Sequence, residues 1–129
     1  MKGYLLDTNA ALIALTDPAK LPRRVRAALL AGRNVLSAIV YWEVMLKSMK
    51  GTLDVGDPRS WWLDALEELA ATALVLKPEH VATVYTLPPI HRDPFDRVLI
   101  SQAIVEGLVL LTTDTEIPRY ISERFQVLS

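Results

Sequence analysis

Residues 4–9 read Tyr4-Leu5-Leu6-Asp7-Thr8-Asn9, three apolar residues followed by an acid and two further polar residues. A short apolar run bounded by polar residues is consistent with a buried strand, so we predict a strand that ends at Asp7. Residues 10–15 continue as the start of a helix, and Asp17-Pro18 stops it because the residue before a proline disfavours helical backbone angles. The segment thus combines a strand, an acid at its carboxyl end and the start of a helix.

The rest of the chain repeats the alternation of short apolar runs and helical patterns. Further strands are predicted at residues 34–36, 73–76 and 108–111, giving four strands, or five if residues 125–127 are included. Helices are predicted at residues 23–30, 38–50, 61–70, 78–85 and 94–107. Ser37 and Ser60 are interpreted as N-caps and Pro78 as a first helical residue. No repeat or long linker divides the chain, so residues 1–129 are predicted to form one domain.

Alternating strands and helices predict an α/β fold with a central parallel sheet of four to five strands, flanked by helices. Ligands of such folds bind outside the carboxyl ends of the strands. Asp7 follows the first strand and Asp114 follows the fourth. Glu43 lies in the helix after the second strand, and Asp96 begins the helix that leads into the fourth. Four separate elements can therefore bring carboxylates to one edge of the sheet.

Each acid also has a purely structural interpretation. Asp7 and Asp114 are suitable caps for the residues that follow them. Asp93-Pro94-Phe95-Asp96 is typical of a helix start, with an acid at the cap, proline at the first position and an acid at the third. Glu43 lies in an apolar stretch, where an exposed ion pair with Lys47, one turn later, would stabilise by only a few tenths of a kcal/mol. An unpartnered buried acid is more costly, which favours a functional role for Glu43.

Convergence of the four acids favours a metal site. Carboxylate oxygens are the ligands that Mg²⁺ and Mn²⁺ prefer, and crowded like charges resist ionisation unless a cation lies among them. Helix capping does not require four acids to meet. Phosphodiester hydrolysis does require such a site, because it needs an activated water and neutralisation of the phosphate.

Composition fits a folded protein but leaves its function open. Of the 129 residues, 51% are hydrophobic and 22% are charged, as in globular chains. The formal net charge is −1, so RNA would have to bind through a local patch and metal ions rather than a global basic field. The absence of cysteine excludes a disulfide scaffold, a thiolate zinc site and a cysteine nucleophile. It fits a cytoplasmic protein, and neither a signal peptide nor a membrane-spanning stretch is evident.

The acidic motifs resemble those of the PIN-domain family, and within it the VapC-type toxins of type II toxin–antitoxin systems. The resemblance covers nearly the whole chain. Its four motifs are Leu5-Leu6-Asp7-Thr8-Asn9, Leu36-Ser37-Ala38-Ile39-Val40-Tyr41-Trp42-Glu43-Val44, His91-Arg92-Asp93-Pro94-Phe95-Asp96-Arg97 and Leu111-Thr112-Thr113-Asp114. The third motif is the most specific. Any one of them alone is weak, but all four in this order at this length form a specific signature.

The resemblance implies the metal-binding and catalytic residues Asp7, Glu43, Asp96 and Asp114. It also implies Mg²⁺ or Mn²⁺ as cofactor, cleavage of RNA, a cognate antitoxin encoded elsewhere and a homodimer, for which Tyr41, Trp61 and Trp62 supply apolar surface.

Several neighbouring side chains are secondary candidates. Asn9 and Thr112 can orient Asp7 and Asp114 or order water, and ordinary turn hydrogen bonding is an equal alternative. Arg92 and Arg97 can contact phosphates, or pair with the carboxylates. Asp93 is interpreted as a cap.

Three other functions compete with this interpretation. A phosphatase of the haloacid-dehalogenase type would require a second Asp two residues after Asp7, where this chain has Asn9. A related DNA nuclease would use the same metal chemistry, and only groove shape and recognition of the 2′-hydroxyl separate the two substrates. A non-catalytic PIN-like binding module could use the same acids to attract basic peptides.

Overall fold

The structure, a computed structural model, describes residues 3–90 and 93–129. Five strands of the described residues form one sheet: β1 (Tyr4–Leu6), β2 (Asn34–Ser37), β3 (Thr72–Leu74), β4 (Val109–Leu111) and β5 (Gln126–Leu128). Their order is β3-β2-β1-β4-β5, and every neighbouring pair is parallel. The predicted α/β class with a four- to five-stranded parallel sheet is confirmed, and the optional fifth strand is present.

Six α-helices occur in the described residues and connect these strands. They are α1 (Thr8–Thr16), α2 (Arg23–Leu30), α3 (Ala38–Met49), α4 (Pro58–Glu68), α5 (Pro78–Val84) and α6 (Pro94–Glu106). The Ser37 hydroxyl caps α3 by accepting a hydrogen bond from the Ile39 amide, as predicted. The predicted cap at Ser60 is wrong, because α4 begins at Pro58 and Asp57 accepts from the Arg59 amide. An Asp-Pro pair supplies both a cap and a preset first helical residue, and this outweighs a serine two residues later.

The order of the strands places a crevice between β1 and β4. The chain runs outward from β1 through β2 to β3, then returns to the other side of β1 to form β4 and β5. Connections therefore leave β1 and β4 in opposite directions, and such a reversal opens a crevice at the carboxyl ends of the two strands. Asp7 directly follows β1, and Thr112 directly follows β4. The fold thus brings the first and last predicted motifs to the same crevice.

The centre of the sheet is fully buried, which fixes this edge in place. Leu5 and Leu6 of β1, Leu36 of β2, and Leu110 and Leu111 of β4 are all 0% exposed. Burying a leucine side chain stabilises a fold by roughly 1.5–3 kcal/mol, so the central strands resist displacement. No helix of the described residues is both long enough and apolar enough to cross a membrane.

Candidate active site

A cleft of about 100 Å³ lies at the carboxyl end of the sheet. Asp7, Glu43, Asp96 and Asp114, the four acids predicted to meet, all line it, and so do Thr8, Asn9, Lys47 and Asp93. These residues come from four separate segments of the chain, as the sequence motifs do. The structure therefore brings the four predicted carboxylates to one cleft and adds a fifth.

Asp7 is both a helix cap and a member of the acidic cluster. Its Oδ1 accepts a hydrogen bond of 2.8 Å from the Ala10 amide at the start of α1, and its Oδ2 accepts one from the Thr112 hydroxyl. Burial raises the pKa of Asp7, since only 3% of the residue is exposed, and the charges of Asp114 and Glu43 raise it further. The two hydrogen bonds act in the opposite direction, because they favour the ionised form. Capping and clustering thus coexist at one side chain.

Thr112 connects Asp7 to the segment that carries Asp114. The Thr112 hydroxyl donates to Asp7 and accepts a hydrogen bond of 2.9 Å from the Asp114 amide. Asp114 Oδ1 in turn accepts from the Glu116 amide at 2.7 Å, which closes a local turn. Asp114 is half-buried and Thr112 is 2% exposed. Thr112 therefore lies where a residue that orients both acids would have to lie.

Glu43 is buried and has a partner on each oxygen. Its Oε1 accepts a hydrogen bond of 2.5 Å from the Thr8 hydroxyl, and its Oε2 lies 3.0 Å from the Lys47 ammonium. Only 7% of Glu43 is exposed. The sequence alternative, an exposed pair with Lys47, is correct about the pairing but not about the exposure. The pair points into the acidic cleft.

The start of α6 supplies two acids, one at the N-cap and one in the first turn of the helix. Asp93 caps the helix by accepting a hydrogen bond of 2.9 Å from the Phe95 amide, which agrees with its interpretation as a cap. Asp96 lies in the first turn, where the helix dipole stabilises a negative charge. Both line the cleft. Asn9, one residue into α1 and exposed, lines it as well.

Of the two arginines predicted to contact phosphate, the structure describes only Arg97. Arg97 donates hydrogen bonds of 2.9 Å to the Pro88 carbonyl and 3.1 Å to the Tyr120 hydroxyl, contacts that hold the start of α6 to its surroundings. A phosphate contact by Arg97 stays a prediction. Arg92 and its neighbour His91 lie outside the described residues.

The donor set fits a hard divalent cation. Every acid that lines the cleft offers carboxylate oxygens, and Mg²⁺ and Mn²⁺ prefer oxygen ligands. The pKa of Asp7 is raised partly by Asp114 and Glu43, so these carboxylates repel one another, and a bound cation would relieve that repulsion. The arrangement is suited to hold a metal ion where a phosphate can approach from solvent.

Thr8 lies within the first motif, but the sequence pattern assigned it no role. It is 4% exposed, and its hydroxyl joins α1 to Glu43 across 35 positions of sequence. Its place directly after Asp7 at the carboxyl end of β1 was the available signal, since residues at this edge face the crevice. The sequence did not indicate that Glu43 would be the hydrogen-bond partner of Thr8.

The chain belongs to the PIN domain family, because the model of that family, described as PIN domain, matches residues 4–121. The family predicted from the acidic motifs is therefore confirmed. No protein among curated sequences matches this chain.

Solved structures of toxin–antitoxin complexes have a similar fold. VapBC2 from Rickettsia felis, bound to a promoter DNA fragment, aligns with a TM-score of 0.70 and 19% identity over 98% of each chain. DNA-bound VapBC from Salmonella typhimurium aligns with a TM-score of 0.71 and 16% identity, over 99% of this chain and 98% of that one. VapBC-5 from Mycobacterium tuberculosis aligns with a TM-score of 0.62 and 18% identity, over 99% and 98%. At such identities the likeness shows the fold.

Proposed function

We propose that this protein is a metal-dependent endoribonuclease and the toxin component of a type II toxin–antitoxin system. The cleft carries the proposal, because it gathers five carboxylates, whose oxygens are the ligands that a hard divalent cation prefers. Membership of the PIN family supports nuclease chemistry. Similarity to solved toxin–antitoxin complexes supports the toxin assignment. Under this proposal residues 1–129 form one ribonuclease domain that acts in the cytoplasm.

In the proposed site, Asp7, Glu43, Asp96 and Asp114 would hold Mg²⁺ or Mn²⁺. A metal ion held there would supply the Lewis acidity that activation of water and neutralisation of phosphate charge need. Thr112 holds Asp7 and the Asp114 segment together, and Thr8 orients Glu43. Fixing carboxylates through such partners preserves the geometry that ligands need.

RNA is the proposed substrate, and its test is a comparison of cleavage of a single-stranded RNA with a DNA oligonucleotide of the same sequence. We expect cleavage of the RNA in Mg²⁺ or Mn²⁺ and none in excess EDTA. Asp96→Asn should lower cleavage by about 100-fold or more, since even outer partners of metal ligands are worth about 10–100-fold. Asp64→Asn, the same change at an exposed position on α4, is the control and should leave cleavage unchanged.

Each contrary result has a definite meaning. Cleavage that persists in EDTA, in protein free of contaminating ribonuclease, would overturn the metal-dependent mechanism. Preferential cleavage of the DNA oligonucleotide would identify a DNA nuclease. Metal binding with neither strand cleaved would favour a non-catalytic binding module.

A cognate antitoxin is the proposed protein partner. Two grooves of about 280 and 360 Å³ adjoin at Glu68 of α4; the second is mostly apolar, and the first combines apolar and acidic side chains. Leu12, Leu15 and Trp61 line the first, and residues that include Leu29 and Leu30 line the second. Apolar grooves between helices are suited to an amphipathic partner segment. Co-purification with the product of an adjacent short reading frame tests this assignment.

A homodimer is proposed with α3 at its interface. Trp42 is 55% exposed and lies beside Tyr41, whose ring stacks on Trp62 with centroids 4.8 Å apart and planes 6° apart. The two adjacent tryptophans of α4 therefore face different neighbours, Trp62 towards α3 and Trp61 towards the groove beside α1. Exposed aromatic surface of this kind is enriched in interfaces. Sedimentation of the purified chain measures its oligomeric state.

A further inference from the structure

The ammonium of Lys47 lies in the carboxylate cleft, 3.0 Å from Glu43 Oε2. We propose that Lys47 is a phosphate-binding residue of the site, which pairs with Glu43 while no metal ion is bound and contacts the RNA backbone once one is. This inference rests on the proposed nuclease function. It assigns a role to a side chain that the acidic motifs do not contain.

The burial of Glu43 separates this pair from an ordinary surface ion pair. An exposed pair one helical turn apart contributes a few tenths of a kcal/mol and has no further consequence. Here the side chain of Glu43 is only 10% exposed, whereas that of Lys47 is 42% exposed. Lys47 therefore connects a buried carboxylate to solvent, and its flexible stem allows the ammonium to move while the helix stays in place.

Metal binding and the present position of Lys47 are in competition. One oxygen of Glu43 accepts from Thr8 and the other lies against Lys47, so both are engaged. A divalent cation bound to Glu43 would repel the ammonium and would remove the charge that attracts it. Lys47 is anchored on α3 at the cleft wall, so its displaced ammonium remains near the opening.

A phosphate group is the anion that enters this opening when RNA binds. Ammonium groups form strong charge-assisted hydrogen bonds with phosphate oxygens. Among the described residues that line the cleft, Lys47 is the one cation. The remaining charged side chains there are carboxylates, which repel phosphate. A mobile lysine therefore supplies the attraction that the acids cannot.

The proposal predicts effects of opposite sign on metal and RNA when Lys47 is replaced by glutamine. Mn²⁺ should bind more tightly to Lys47→Gln than to the parent protein, because the internal competitor for Glu43 is gone. RNA should be processed less efficiently, and log kcat/KM should depend less steeply on log salt concentration, by about 0.7, the amount expected for one lost phosphate contact on a single strand. A lysine that merely braced Glu43 would give weaker Mn²⁺ binding instead.

The experiment measures Mn²⁺ affinity without RNA by the electron paramagnetic resonance signal of free Mn²⁺, and kcat/KM for single-stranded RNA over a range of NaCl concentrations at saturating Mn²⁺. Lys47→Gln is compared with Lys47→Arg, which keeps the charge and should retain the salt dependence. Lys50→Gln is the matched control, since Lys50 is an exposed lysine at the end of the same helix. It should resemble the parent protein in both measurements.

Unchanged or weaker Mn²⁺ binding by Lys47→Gln, or an unchanged salt dependence, would overturn the role of Lys47 while leaving the nuclease proposal intact. A parent protein that neither binds Mn²⁺ nor cleaves RNA would overturn the proposed function itself. Lys47→Arg decides the matter if the glutamine variant folds poorly, because loss of the salt dependence in a variant that keeps its charge would also contradict the proposal.

Discussion

The acidic cleft and a buried polar network at α5 and α6 both contain carboxylates, but these carboxylates have different surroundings. In the network, His80 Nδ1 accepts a hydrogen bond of 2.9 Å from the Lys77 amide, so Nε2 carries the proton and lies 2.8 Å from Glu106 Oε2. Gln102 lies beside His80 and accepts a hydrogen bond of 2.6 Å from Ser37, the cap of α3. His80, Gln102 and Ser37 are each 0% exposed. Donors and acceptors in this region satisfy one another.

The carboxylates in the two regions have opposite pKa shifts. Hydrogen bonding to His80, together with the contact with Lys77, holds the pKa of Glu106 below its ordinary value, although burial acts against this. Burial and the charges of Asp114 and Glu43 raise the pKa of Asp7 above its ordinary value. Both carboxylates accept hydrogen bonds, but Glu106 also lies beside a cationic lysine, whereas Asp7 is more deeply buried and has acidic neighbours. A cation bound near Asp7 would favour its ionised form, whereas Glu106 already has protein groups that do so.

A second group of closely spaced ligand atoms lies in the polar network. One ligand atom each from Glu79, His80 and Glu106 lies within 4.8 Å of the other two. Both ring nitrogens of His80 already have partners within the protein, however. We therefore expect a metal ion to bind in the acidic cleft rather than in this network.

The largest effect is expected from replacement of an acid of the cleft. Asp7→Asn keeps a side-chain oxygen to cap α1 but removes a charged metal ligand, so kcat/KM for RNA should fall by about 100-fold or more. Glu106→Gln, the equivalent change in the polar network, should leave activity per folded molecule unchanged. Parallel RNA cleavage assays on the two variants check this. Equal losses in both would mean that the two regions do not differ in function.

Without divalent metal, the same two variants should differ from the parent in stability with opposite signs. The raised pKa of Asp7 means that its ionised form destabilises the fold above the folded-state pKa, a penalty that disappears as pH falls below 3.8. Asp7→Asn should therefore be more stable than the parent at pH 7. The lowered pKa of Glu106 means a stabilisation present above pH 4.5 and lost as pH falls through the folded-state pKa. Glu106→Gln should lose about 1–3 kcal/mol at pH 7.

Urea unfolding in EDTA from pH 7 to pH 3 measures both differences in unfolding free energy. Each difference should shrink towards the acid end of the range. A destabilised Asp7→Asn variant at pH 7 would show that capping outweighs charge repulsion at this residue.

The smallest effect is expected at Asp93. This residue combines a structural role with a place in the cleft, because it both caps α6 and lines the cleft. Asn caps helices as well as Asp does, so Asp93→Asn should stay within about 0.5 kcal/mol of the parent in stability and close to it in kcat/KM. Asp93→Ala removes the cap and should cost about 1 kcal/mol. Thermal unfolding and cleavage assays test both variants. A loss of activity in Asp93→Asn as large as that in Asp7→Asn would make Asp93 a fifth metal ligand.

The sequence by itself determined most of the local elements and predicted four of the five acids that line the cleft. The caps at Ser37 and Asp93 and the strand ending at Asp7 were predicted and are present. Such features depend on the backbone preferences of a few consecutive residues, so local patterns specify them. The cap predicted at Ser60 is wrong, because the Asp57-Pro58 pair, which has the same form as Asp93-Pro94, begins α4 instead.

Only the tertiary structure decided what the acids meet. The order β3-β2-β1-β4-β5 places β4 beside β1, so that Thr112 reaches Asp7 across 105 positions of sequence. The same packing brings the Thr8 hydroxyl within hydrogen-bonding distance of Glu43. It also places the Glu43–Lys47 ion pair in the cleft rather than on an open surface. Burial and neighbouring charge fix the pKa of Asp7. These quantities depend on residues far apart in sequence, and no local pattern carries them.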